Sequence, residues 1–79
     1  MKILQTERRN KVTDTLAFRA YLVKRGYTVQ RLAAELGIAP CSLSYKINNK
    51  REFKPSEIVA IKRILRMTSE ERDAIFFAD

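Results

Sequence analysis

The 79-residue chain has no histidine and no tryptophan, a single cysteine, two glycines and two prolines. Without histidine, neither a Ser–His nor a Cys–His nucleophile pair can form within one chain, and no histidine-bearing metal site can be assembled. The lone Cys41 can close no intramolecular disulfide and build no thiolate zinc site, and such sparing use of cysteine fits a reduced, intracellular compartment. So few glycines and prolines argue against a turn-rich β fold, and no stretch alternates long enough to make a strand. No apolar run approaches the ~20 residues of a membrane span. The opening MKILQTERRNK lacks the apolar core of a signal peptide. No phosphate-cradling glycine loop is present. These absences set four expectations: a cytoplasmic protein, no enzyme, no cofactor or metal, and no membrane or small-molecule partner.

What is present points elsewhere. The length suits one domain with a small core, because a chain this short buries only about 60% of its unfolded surface. Sixteen Lys plus Arg against nine Asp plus Glu leave a formal net charge of +7. An excess of that sign calls for a polyanionic partner, with nucleic acid ahead of an anionic membrane surface. The basic residues 1–13, with Lys2, Arg8, Arg9 and Lys11, read as an arm preceding a domain over 14–79. They are either a frayed terminus or a strand of positive charge laid along a nucleic-acid backbone.

Five helices are expected. The first runs from about Asp14 to Arg25, with Ala17, Phe18, Tyr21 and Leu22 as its apolar stripe and Gly26 as its stop. Thr28 caps the second, which buries Leu32, Ala33 and Leu36 and ends at Gly37. The third opens near Ala39 with Pro40 in its first turn, buries Leu43 and Ile47, and stops at Asn48 and Asn49. After the basic loop Lys50–Lys54, anchored by Phe53, Pro55 opens a fourth helix striped by Ile58, Ile61, Ile64 and Leu65. Thr68 and Glu71 form a capping box for a fifth, which ends in Ile75, Phe76 and Phe77.

The segment Thr28–Asn49 carries the most specific pattern. Two helices flank a break at Gly37 that is too short for anything but a tight turn. The helices of a helix-turn-helix cross at roughly 90–120° and need a small residue at closest approach. Ala33 supplies that residue, Gly37 the positive φ of the turn, and Leu43 the pin that holds the third helix to the core. An ordinary helical hairpin is the bland alternative.

Residues 14–78 resemble a phage-type Cro/CI (Xre-like) helix-turn-helix transcriptional regulator. The likeness rests on Gly26-Tyr27-Thr28, Leu32-Ala33, Leu36-Gly37-Ile38, Leu43-Ser44 and Lys46-Ile47-Asn48-Asn49-Lys50. Phe53, Glu57-Ile58, Ser69-Glu70-Glu71 and Ile75-Phe76-Phe77 continue it. The resemblance implies an all-α, compact five-helix bundle of the lambda-repressor-like DNA-binding type. It implies a phage or prophage Cro-like repressor, nucleoid-associated in the cytoplasm of a bacterial host, that occupies operator DNA as a homodimer. Two positions depart from the family: Val29 stands where a phosphate-binding Gln is common, and Pro40 where Gln, Arg or Ser often opens the recognition helix.

With Leu43 and Ile47 turned inward, a recognition helix over about 40–48 presents Cys41, Ser42, Ser44 and Tyr45 as base-reading candidates. Phosphate-binding candidates are Thr28, Arg31, Lys46, Asn48, Lys50, Arg51 and Lys54. Ile75, Phe76 and Phe77 are too large a run for one helix face; some complete the core and the rest are candidates for a dimer contact. A rival reading keeps the fold and makes protein the main partner, as in an antitoxin or adaptor, with DNA binding secondary.

Overall fold

A computed structural model describes residues 12–78. Among these the chain is all-helical, with α1 (Thr15–Lys24), α2 (Val29–Leu36), α3 (Pro40–Ile47), α4 (Pro55–Leu65) and α5 (Ser69–Phe76). No helix is long and apolar enough to cross a membrane among the described residues. The helix starts follow the side chains available to cap them. Asp14, Thr28 and Thr68 each accept a backbone N–H from their helix's first turn. At α5 the box is complete, because Glu71 accepts the Thr68 N–H at 2.9 Å. That amide and the Tyr21 hydroxyl hold the Glu71 carboxyl below its ordinary range.

The stops share one device. Four helices end in a left-handed residue, at Gly26, Gly37, Asn49 and Arg66. In each, the following N–H reaches back five residues, as Tyr27 to the Leu22 carbonyl and Lys50 to the Tyr45 carbonyl, both at 2.8 Å. This double bonding satisfies carbonyls that a helix end otherwise leaves unpaired. Glycine takes the conformation freely, and asparagine tolerates it. Arg66 adopts it against the preference of a side chain bearing a Cβ.

The core gathers one face of every helix: Phe18, Tyr21 and Leu22 from α1, Leu32 and Ala33 from α2, and Leu43 and Ile47 from α3. Ile61 and Leu65 of α4, with Ile75 and Phe76 of α5, close it. Phe53 in the loop before α4 stacks on Phe18 at 5.9 Å and meets Phe76 edge-to-face at 5.1 Å. Full burial of a ring, as at Phe18 and Phe76, contributes roughly 1.5–3 kcal/mol. Two expectations change here. Ile75 and Phe76 are buried, so of the apolar run at the end of α5 only Phe77 is exposed. Of the basic arm expected over residues 1–13, residues 1–11 lie outside the described residues, and the last two belong to the fold. Val12 forms an antiparallel bridge with Ala78, and Thr13 is buried beside Asn49.

Candidate nucleic-acid interface

The turn between α2 and α3 is Gly37-Ile38-Ala39, short and led by a glycine at φ +75°. Ala33 is fully buried, and Ile38 packs against the core. Leu43 and Ile47 are fully buried in α3. The opposite side of that helix therefore faces out. Cys41 is exposed, Ser42 and Ser44 are half-buried, and Tyr45 keeps 46% of its surface. No side chain caps the start of α3, because its N-cap is Ala39. Pro40 has no N–H, so the Cys41 and Ser42 amides are the unpaired donors at the positive end of the helix.

The end of α3 is tied down three times. Thr15 donates to the Ile47 carbonyl at 2.7 Å. The Asn49 side chain accepts the Thr13 N–H and donates to the Thr13 carbonyl, both at 2.9 Å. Lys46 turns inward, only 8% exposed, and its ammonium meets both oxygens of Glu57 at 2.7 and 2.6 Å. That pair removes Lys46 from the phosphate-binding candidates. Its aliphatic stem lies on the core side of the helix, and the charge is spent joining α3 to the start of α4. Glu57 also accepts the Lys54 N–H at 2.8 Å.

The remaining basic candidates lie on the surface around α3. Lys50, Arg51 and Lys54 are exposed in the loop that follows it, and the Arg51 guanidinium sits 5.9 Å from the centre of the Tyr45 ring. Exposed Asn48 forms the C-cap of α3. At the start of α2, the Thr28 hydroxyl accepts the Arg31 N–H at 3.1 Å. Arg31 stacks over Tyr27 at 4.3 Å, with its Nε 3.5 Å from Glu35. Glu35 also accepts the Tyr27 hydroxyl at 3.0 Å, and that bond raises the phenol above its ordinary value. The Arg31 guanidinium is thus held between a ring and a carboxylate while staying exposed. Val29, in the position of the family's phosphate-binding Gln, packs instead against the core.

One cation of this surface was not expected from the sequence. Arg19, on α1, places its guanidinium 3.4 Å from the Asn48 Oδ1. It stands one helical turn beyond Thr15, so the Thr15–Ile47 bond carries it to the end of α3. Nothing in the local pattern marks Arg19; only the packing of α1 across the end of α3 does.

Comparison with protein-family models, with curated proteins and with solved structures returned no match for this chain.

Proposed function

We propose that this chain is a sequence-specific double-stranded DNA-binding regulator of lambda-repressor-like fold, acting as a Cro-like repressor through α3 as recognition helix. The observation that carries the reading is the pairing of a glycine-turned α2–α3 unit with an outward α3 face ringed by cations. A helix of this width fits a major groove. Cys41, Ser42, Ser44 and Tyr45 lie where base edges would come, and Arg19, Arg31, Asn48, Lys50, Arg51 and Lys54 where the flanking phosphates would run. Thr28 retains a hydroxyl hydrogen for a phosphate, and the unpaired amides that open α3 suit an oxyanion. Residues 1–11 carry four more cations in the sequence, and Thr13, close after them, is bonded to Asn49. Before Asn48, α3 carries no Arg, Asn or Gln, so bidentate guanine or adenine reading is not available there. Recognition rests on Tyr45, the two serines and groove shape.

Selection of bound duplexes from a random pool, followed by mobility shift at several salt concentrations, tests the reading. An enriched half-site with steeply salt-dependent binding is expected. Absence of enrichment and of any salt-dependent duplex binding would leave a protein-interaction module on this fold as the better account. Within the complex, Tyr45→Ala should change the enriched sequence more than overall affinity. Uniform weakening across sequences would make Tyr45 a packing or phosphate residue.

A further inference from the structure

Helix α2 carries its two charges at the wrong ends. Arg31 sits in the first turn, where the helix dipole is positive, and Glu35 in the last, where it is negative. Their order along the helix, cation before anion, is also the weaker of the two i, i+4 arrangements. With side chains 60% and 39% exposed, the pair adds little to stability. Exchanging the two residues would serve the helix better, so folding does not account for where they stand. Tyr27 joins them. Its ring is half-buried against the core just ahead of α2. The Arg31 guanidinium lies 4.3 Å from the ring centre, the closest cation–ring approach among the described residues. The phenol donates at 3.0 Å to the Glu35 Oε2, and the same oxygen lies 3.5 Å from the Arg31 Nε.

The guanidinium is thus bounded on one face by a ring that the core holds, and on its Nε side by a carboxylate that the ring holds. Nη1 and Nη2, which form its other paired edge, have no partner among the described residues. An edge of two parallel N–H groups matches two oxygens of one phosphate. A freely moving arginine forfeits rotamer freedom when it grips a phosphate, and one already held forfeits less. We infer that Tyr27 is the positioning residue for a phosphate grip by Arg31, with Glu35 locking ring and guanidinium together. This role rests on the proposed DNA binding and deepens it, because the contact at the start of α2 is preset in the free protein. The first-turn placement of Arg31 then has a reason: its charge and the positive end of α2 act on the same anion. Tyr27 itself touches no DNA. Glu35 opposes the duplex by its charge, but it stands on the Nε side, away from the edge that meets phosphate.

A thermodynamic cycle on the selected duplex tests this role. Affinity is measured for the wild type, Tyr27→Leu, Arg31→Ala and the double variant, with urea unfolding to show that each folds. Leucine keeps an apolar contact with the core and removes the ring. Tyr27→Leu should weaken binding about three- to tenfold while Arg31 is present. Once Arg31 is Ala, the same change should have no effect beyond about twofold. Tyr27→Phe, which keeps the ring, should retain most of the affinity. Replacing single phosphates of the duplex by neutral methylphosphonate should reveal one position in each half-site whose penalty in the wild type disappears in Arg31→Ala and shrinks in Tyr27→Leu. A Tyr27→Leu loss that persists undiminished in the Arg31→Ala background would assign Tyr27 to packing or to DNA itself. A Tyr27→Phe variant as weak as Tyr27→Leu would deny the ring its part. Either result overturns the positioning role while the wild type still binds DNA. A wild type that binds no duplex fails instead at the proposed function, and the positioning role falls with it.

Discussion

Among the described residues Lys46 and Glu57 form the most consequential side-chain pair, because both are nearly buried and each is the other's main charge partner. Burial pushes the Glu57 carboxyl up, but the bond from Lys46, the Lys54 amide and the two lysine charges outweigh it and hold the group below its ordinary value. A carboxyl depressed by folding contributes stability that is fully present above its unfolded pKa of about 4.3 and is lost as pH falls through the lower folded value. Lys46→Met keeps the stem but strands the carboxylate, and should cost about 1–3 kcal/mol in urea unfolding at pH 7. Adding Glu57→Gln should recover much of the loss, since the amide oxygen still accepts the Lys54 N–H. The cost of Lys46→Met should shrink near pH 3; an equal cost at both pH values would assign it to packing. Arg66 offers the opposite case. Its left-handed backbone at φ +58° strains a residue with a Cβ, while the bonds to its carbonyl from Arg25 and Tyr21 do not need its side chain. Arg66→Gly should therefore stabilise the fold by about 0.5–1 kcal/mol, read as a higher urea midpoint.

Among the helices, α3 is held unevenly. Its last turn is bound by Thr15, Asn49 and the Lys46–Glu57 pair, whereas its first turn has no side-chain cap. A cap at Ala39 is sterically simple, because its backbone is already extended. Ala39→Asp should add about 1 kcal/mol of stability by accepting a first-turn N–H. The same carboxylate would stand where the proposed reading places a nucleic-acid anion, so the variant should bind DNA more weakly while unfolding later. Denaturant melts and mobility shifts on one sample separate the two effects. Undiminished binding would remove the start of α3 from the interface.

For the molecule as a whole, the surface divides by charge. Five cations, Arg19, Arg31, Lys50, Arg51 and Lys54, are gathered around α3, and an apolar ridge of Leu16, Ala20 and Val23 lies along α1 beside a groove against α5. If each of those cations neutralises one phosphate, the logarithm of affinity should fall with the logarithm of salt at a slope of roughly −4.5 per bound copy, steeper if residues 1–11 also engage. Replacing Lys50 and Arg51 together by Ala should lower that slope by about two and weaken binding to all duplexes alike. An unchanged slope would place these residues away from the backbone.

The helices and their ends were legible because they depend on local chemistry. Thr28, Thr68, Gly26, Gly37, Pro40 and Pro55 bound their elements through caps, positive φ and missing N–H groups that act within one turn of chain. Periodicity likewise exposed Phe18, Leu32, Leu43, Ile47 and Ile61 as core. What escaped was whatever depends on a residue distant in the chain. Lys46 reads as a surface cation until Glu57 meets it, and Arg19 as an unremarkable one until Thr15 seats α1 on the end of α3. The same limit applies to Ile75-Phe76-Phe77. The pattern marked an apolar run but not its division, which followed from Phe18 and Phe53 claiming Phe76. Caps and periodicity are properties of one segment, whereas burial and charge pairing belong to segments brought together, and here they decided which lysine is structural and which apolar face remains open.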